Sequence, residues 1–233
     1  MDYSELILDL KKKKELKDLE DNFILERVKE YLKDKKIPDN KKSKEYKIIF
    51  KDLRRILRKV YGMFVQVREE RSLKFYEMVF DRFKPKKVLD LGCGLEPLYY
   101  TKLIDAEFYS AEISEEIVKK INLFFKKEKI KGKSFIFDLV YEDLGKLPKV
   151  DLCLILKVLD SLEYFKRNIS KELLTKIQTK SFVITFAKLT LSGKKEIKAK
   201  RTWLIRILKE LNYKYEMIDF ENEVVFFIEK FIY

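Results

Sequence analysis

Two hydrophobic periodicities divide the chain. Through residues 1–84 the apolar positions recur at helical spacing, with glycine only at Gly62 and proline only at Pro38, so this stretch is expected to be helical. Ile37-Pro38-Asp39-Asn40 predicts a turn between two helical stretches, and the run Lys11 to Lys14 reads as a solvated face. From Ser43 to Val60 one side of a helix carries Tyr46, Ile49, Phe50, Leu53, Leu57 and Val60. The other side carries Lys44, Lys47, Lys51, Arg54, Arg55 and Arg58, interrupted only by Glu45 and Asp52. From Lys86 onward the texture changes. Short apolar runs at Val88–Leu91, Phe108–Ala111, Ser134–Phe137, Leu152–Leu156 and Phe182–Phe186 predict strands. Helical stretches such as Ser114–Lys127 and Lys171–Gln178 separate most of them. That alternation implies a parallel sheet covered on both faces. The end differs: Tyr213–Asp219 and Glu223–Glu229 are joined only by a turn from Asp219 to Asn222, which predicts a hairpin and an antiparallel last strand. The expectation is an α/β protein with a helical N-terminal domain, 1–84, and a second domain, 85–233, divided near Lys84-Pro85-Lys86.

Composition narrows the chemistry. The 233 residues are 46% apolar, enough for a core, and 39% charged, with a net charge of +13 from 52 Lys+Arg against 39 Asp+Glu. Such a balance favours a polyanionic partner, most often nucleic acid. It also fits a Lys/Glu-rich thermophile surface, as does a glutamine content limited to Gln66 and Gln178. The two readings are compatible. The basic side of Ser43–Val60 reads either as a face for a phosphate backbone or as an ordinary amphipathic helix in a lysine-rich protein. There is no histidine, and Cys93 and Cys153 lie in different segments. An ordinary zinc site and His-dependent nucleophilic catalysis are thereby disfavoured. A reduced, cytoplasmic setting is the expectation, with no secretory signal, no membrane span and no metal.

The chemistry concentrates in Val88-Leu89-Asp90-Leu91-Gly92-Cys93-Gly94, an apolar strand running into an acid and a Gly-x-Gly turn. Glycines let the backbone approach a ligand closely. A phosphate would want N–H groups and positive charge there, whereas Asp90 brings a negative one. A cationic nucleoside fits better, and S-adenosylmethionine (AdoMet) carries a sulfonium and an ammonium. In a doubly wound sheet the ligand groups lie just past successive strand ends. Those positions hold Gly92, Cys93 and Gly94, then Glu112 and Ile113, then Asp138 and Leu139, then Leu156 and Lys157. Glu112 is suited to the ribose hydroxyls and Asp138 to the adenine amine. Each has a plainer reading: a tight turn, a surface charge, a cap for the next segment. Cys93 reads as a small residue packed in the turn.

The segment from Leu89 to Leu98, ending Leu95-Glu96-Pro97-Leu98, resembles the aminoglycoside-resistance 16S rRNA methyltransferases, which methylate N7 of a guanine in the ribosomal decoding site. Phe75-Tyr76 with Val79-Phe80 resembles the aromatic pairs before that family's first strand. Leu154 to Leu159, followed by Leu162-Glu163, resembles its segment after strand four. Val183-Ile184-Thr185-Phe186, followed by Thr190-Leu191-Ser192-Gly193, resembles its strand-five region. The resemblance covers roughly 65–233. It implies a Rossmann-like AdoMet methyltransferase sheet with a terminal hairpin, and an arginine near the cofactor at Arg68, with Arg71 close enough to compete. The chain departs from the family at Glu96, where Asn is usual, and at Ala187-Lys188-Leu189, where Pro-Thr-Lys is usual. It departs again at Glu112 and Ser114, where the family has paired acids. A thermophilic, archaeal-type relative suits the composition.

Methyl transfer from a sulfonium is an in-line displacement in which the protein mainly aligns donor and acceptor. Guanine N7 has a free lone pair and needs no general base, which suits a chain without histidine. No catalytic side chain is therefore expected. Lys157, Lys188, Lys194 and Lys195 read as contacts to RNA backbone or as solvated lysines, with Asp160 or Glu163 as counter-charges for Lys157. Trp203 reads as helix-core packing. The expected activity is AdoMet-dependent methylation of ribosomal RNA by a monomer acting on the small subunit. The alternatives are a small-molecule or protein methyltransferase and a non-catalytic RNA-binding module.

Overall fold

The structure, a computed structural model, describes residues 2–13, 16–17, 19–33, 36–65, 71–189, 197 and 201–230, with the backbone alone for 59–65. The N-terminal part forms α1 (Tyr3–Lys11), α2 (Asp21–Leu32), α3 (Lys44–Val65) and α4 (Leu73–Phe83). Then follow β1 (Lys87–Leu91), α5 (Pro97–Tyr100), β2 (Glu107–Glu112), α6 (Glu115–Glu128), β3 (Gly132–Ile136), β4 (Val150–Leu156), α7 (Leu159–Phe165) and α8 (Ile169–Lys176). The chain closes with β5 (Thr179–Ala187), α9 (Thr202–Glu210), β6 (Lys214–Phe220) and β7 (Glu223–Glu229). The seven strands form one sheet in the order β3-β2-β1-β4-β5-β7-β6, parallel except that β7 runs antiparallel to both β5 and β6. The strand order reverses between β1 and β4, so a crevice opens at their carboxyl ends.

Local chemistry sets the element ends. The Ser114 hydroxyl accepts the Ile117 N–H and starts α6, with Glu115 and Glu116 in its first turn and Lys126 and Lys127 in its last. Asp2 and Glu20 accept backbone N–H groups at the starts of α1 and α2. β3 lies earlier than Ser134–Phe137, because Gly132 presses its backbone on Phe108. A Cβ at Gly132 would stand 1.8 Å from the Phe108 carbonyl oxygen. α8 likewise starts before Lys171, because Glu163 reaches across to accept the Asn168 and Ser170 N–H groups. The hairpin turn is shorter than expected, only Glu221-Asn222.

Three apolar clusters result. On one sheet face Leu89, Leu91, Ile155, Phe182 and Phe226 pack with Leu159, Leu173 and Leu204 of α7, α8 and α9. Trp203 joins this side, edge-on to Phe186 with ring centroids 6.0 Å apart. On the other face Phe75, Tyr76, Val79 and Phe80 of α4 pack with Val88, Phe108, Leu154 and Ile121. The aromatic pairs of α4 are thus core of the sheet unit, each side chain contributing about 2–3 kcal/mol of burial. The third cluster joins α1, α2 and α3 through Leu6, Leu10, Ile24, Val28, Leu53 and Leu57. Ile113 and Phe165 pack on it from the sheet unit, and Leu19 forms an isolated β-bridge with Ser114. On α3, Lys44, Lys47, Lys51, Arg55 and Arg58 are exposed and Arg54 half-buried, while Tyr46, Leu53 and Leu57 face the cluster. No described helix is long and apolar enough to cross a membrane.

Candidate functional site

At the carboxyl end of the sheet a cleft, open to solvent, runs along β1, β2 and β3. Its floor and walls include Gly92, Glu112, Ile113, Asp138, Leu139 and Val158. β1 delivers the chain into a turn in which Gly92 and Gly94 have φ of +64° and +54°, a region other residues enter at a cost. The two glycines do different jobs. A Cβ at Gly92 would lie 2.9 Å from Val158 Cγ2, so the turn rests directly on the loop after β4. At Gly94 a Cβ would meet nothing within 4 Å. The Gly94 N–H donates to Glu112 Oε2 at 3.0 Å.

Glu112 is buried. Its Oε1 accepts the Ile113 N–H at 2.7 Å and the Ser114 N–H at 3.3 Å. Burial raises its pKa, and these backbone donors work against the rise. A carboxylate has about four acceptor directions, so one remains. A grip on both ribose hydroxyls requires one backbone donor to yield, which the sequence does not reveal. Asp138 is similarly engaged. Its Oδ1 accepts the Val140 N–H at 2.9 Å, and both oxygens face the guanidinium of Arg27 from α2, with Nη2 to Oδ1 at 3.3 Å.

Asp90 and Cys93 lie under the turn rather than along the cleft. Asp90 is 1% exposed and accepts the Tyr100 hydroxyl at 2.7 Å. Burial pushes its pKa up to about 7, against the opposing Tyr100 hydrogen bond and Arg71 charge. Burial also pushes the Cys93 thiol well up. It is an inert, packed side chain, and its Sγ lies 3.5 Å from the Gly94 oxygen. Leu156 ends β4, and Lys157 follows in the left-handed region at φ 60°.

Beside this turn lies a buried ionic cluster. Arg71 donates through Nε to both oxygens of Glu223 and through Nη1 to the Tyr76 hydroxyl and Glu96. Tyr76 also donates to Glu96. Burial works against the charge on Arg71, but Glu96 and Glu223 outweigh it and raise its pKa. Lys157 reaches the same Glu223 oxygen at 3.1 Å. Burial favours a neutral Glu223, yet Arg71 and Lys157 together hold its pKa below the ordinary value. The counter-charge of Lys157 is therefore Glu223. The candidates Asp160 and Glu163 are otherwise used, Asp160 by Arg201 at 2.7 Å and Glu163 as the α8 cap. Lys188 is tied to the hairpin, with Nζ 3.2 Å from Asp219 and 3.3 Å from the Glu221 carbonyl. Arg68, Lys194 and Lys195 lie outside the described residues.

Three contributors escaped the motifs. Phe23 and Arg27 of α2 line the cleft, and Glu223 stands at the first position of β7. Arg27 left a trace, since it lies on the apolar stripe of α2 with Phe23, Ile24 and Val28. Glu223 left none. Among the described residues no group of three or more His, Cys, Asp or Glu is placed to hold a metal.

A doubly wound sheet ending in an antiparallel hairpin, with a glycine turn and acids at successive strand ends, defines a Rossmann-like methyltransferase fold. The chain belongs to the ribosomal RNA methyltransferase (FmrO) family, which matches residues 51–225. It is 27% identical over 122 residues to a 16S rRNA (guanine(1405)-N(7))-methyltransferase of Serratia marcescens; the match covers 51% of this chain and 47% of that protein. The chain thus aligns with about half the length of this curated relative. Its fold is similar to that of the 16S rRNA methyltransferase RmtF in complex with S-adenosyl-L-homocysteine, with a TM-score of 0.74, 20% identity and 99% of both chains covered. The 16S rRNA methylase RmtB is also similar, at a TM-score of 0.75 and 16% identity over 99% of both chains.

Proposed function

We propose that this chain is an AdoMet-dependent methyltransferase acting on ribosomal RNA, with N7 of a guanine in the small-subunit RNA as the acceptor. The observation that carries the reading is the convergence of Gly92, Glu112, Asp138 and Val158, from four separate strand ends, on one cleft. Family membership and the guanine-N7 activity named for the Serratia relative support it.

The cleft suits a nucleoside with a cationic tail. Glu112 and Asp138 offer acceptors for ribose and adenine amine, Gly94 leaves open space, and Phe137, Leu139, Val158 and Phe165 supply apolar walls. Bound AdoMet would supply the methyl group on a sulfonium. The chain's own residues bind and align: Asp90 contributes negative charge under the turn, and Arg71 is the cation on the tail side. The exposed face of α3 meets phosphates through Lys44, Lys47, Lys51, Arg54, Arg55 and Arg58. The boundary expected near residue 84 moves earlier, because α4 packs in the sheet core: α1 to α3 act as the RNA-docking part, the methyltransferase part begins with α4, and the chain works as a cytoplasmic monomer.

The test is tritiated-methyl transfer from AdoMet to total RNA and to ribosomal subunits, with the labelled site mapped by reverse transcription after cleavage at 7-methylguanine. Label at one guanine of the small-subunit RNA is expected. Labelled protein or small molecule without labelled RNA would overturn the reading.

A further inference from the structure

α2 belongs to the basic helical part of the chain, yet it forms a wall of the cleft. The Glu20 carboxylate caps α2 by accepting the Phe23 N–H at 2.8 Å. One turn on, Arg27 follows Phe23 on the same face. Arg27 is 3% exposed, and its guanidinium carbon sits 3.6 Å from the Phe23 ring centroid and 4.6 Å from that of Tyr141. Between these rings the fork faces both oxygens of Asp138, and Nη1 also donates to the Phe23 carbonyl at 3.2 Å. Its Nε has no hydrogen-bond partner among the described residues. The Tyr141 hydroxyl returns to Glu30 of α2. Tyr31 of the same helix donates to Asp52 of α3 at 2.9 Å.

A buried ion pair of this kind is weak evidence for stability, because desolvation offsets much of the attraction. It fixes orientation well, since a planar fork holds a carboxylate in one plane. With Arg27 and the Val140 N–H in place, Asp138 has about one acceptor direction left. Asp138 lines a cleft whose walls are otherwise mostly apolar.

We propose that Arg27 is a positioning residue for the nucleoside site. It is supplied by the helical part, and it orients Asp138 to accept the exocyclic amine of adenine. Base discrimination by the cofactor cleft then depends on α2 being docked, and through Tyr31–Asp52 on the helix that carries the basic face. The inference rests on the AdoMet reading above.

The test is a competition between S-adenosylhomocysteine and S-inosylhomocysteine, whose 6-oxo group accepts where the amine donates. Binding is measured by calorimetry on the full chain and on Arg27→Met, Arg27→Lys, Asp138→Asn and Arg27→Met/Asp138→Asn. The wild type is expected to prefer the adenosyl ligand by at least about tenfold. Arg27→Met should bring that preference to within about threefold, and the double variant should lose no more than Asp138→Asn alone. Should Arg27→Met fail to fold, Arg27→Lys carries the test. A point cation cannot hold both carboxylate oxygens, so selectivity should fall severalfold in a variant that keeps its charge and still unfolds cooperatively. A folded Arg27 variant with wild-type selectivity, or effects of Arg27→Met and Asp138→Asn that simply add, would overturn the proposal. A wild type that binds neither ligand would instead strike the AdoMet reading itself, and this proposal with it.

Discussion

Glu96, at the position where the resembling methyltransferases usually carry Asn, accepts a hydrogen bond from the buried Arg71 guanidinium twenty-five residues earlier. The departure is one half of a pair. Arg71 is 2% exposed in its side chain and shares Glu223 with Lys157, so two cations face two carboxylates.

Glu96→Ala should therefore cost more than a surface change. It leaves Arg71 with one carboxylate that Lys157 also uses, and removes the acceptor of the Tyr76 hydroxyl. A loss of about 2–4 kcal/mol is expected from urea denaturation. Glu96→Gln keeps an acceptor for Tyr76 and should lose about half as much.

Asp90→Asn should raise stability while it abolishes cofactor binding. With a pKa of about 7 in the fold against 3.8 ordinarily, the folded chain holds a proton that the unfolded chain has released across pH 4–7. Stability therefore falls as pH rises through that window. Asparagine removes this loss, on the order of 2–4 kcal/mol at pH 8 by linkage, while still accepting from Tyr100. Melting temperatures across the acid range check it: the variant's advantage should be full at pH 8, less than half as large at pH 5 and gone below about pH 4.

The same group makes AdoMet affinity depend on pH. A cationic ligand favours the ionised carboxylate, so below about pH 7 binding must displace a proton. Affinity should drop by roughly fivefold from pH 7 to pH 6 and level off above pH 8. Calorimetry in buffers of different ionisation enthalpy should register close to one proton released at pH 6.

The two turn glycines should fail differently. Gly92→Ala meets Val158 as well as the left-handed strain, so both stability and binding should fall, with a partial rescue by Val158→Ala. Gly94→Ala has room, so it should lose only about 1–2 kcal/mol of stability. Its methyl group projects where the ligand would approach, so its AdoMet affinity should fall by more than tenfold. Chemical denaturation and ligand titration on the same preparations separate the two.

On α3, Lys47→Ala with Lys51→Ala should leave AdoMet affinity unchanged. RNA binding should weaken, and the slope of log K against log salt should become shallower by roughly two. Nitrocellulose filter binding at several salt concentrations reads the slope.

The parallel run of β1 to β4 and the closing hairpin were legible in the sequence, the former because each apolar run ends in a residue with a distinct task, whereas the order of the strands within the sheet was not. Gly92, Glu112, Asp138 and Lys157 marked the four parallel strand ends around the crevice. The basic face of α3 was legible for the same reason, since periodicity 3.6 sorts charge from core. What the sequence hid were pairings between distant segments. Nothing local in Glu223 says that it will meet Arg71. Nothing in Asp138 says that two of its acceptor directions are taken by Arg27. The start of β3 was hidden too, because the close approach of Gly132 to Phe108 is a matter of neighbouring strands rather than of alternation.

The bond between Arg71 and Glu223 spans 152 residues, and this sets a clock. At synthesis rates of roughly 5–20 residues per second, Arg71 is incorporated about eight to thirty seconds before Glu223. α4, β1 and the glycine turn can gather in that interval, but with one counter-ion short. The charge balance beside the proposed methyl-donor pocket closes only when the final hairpin arrives, so a nascent chain carries its binding turn well before it can use it.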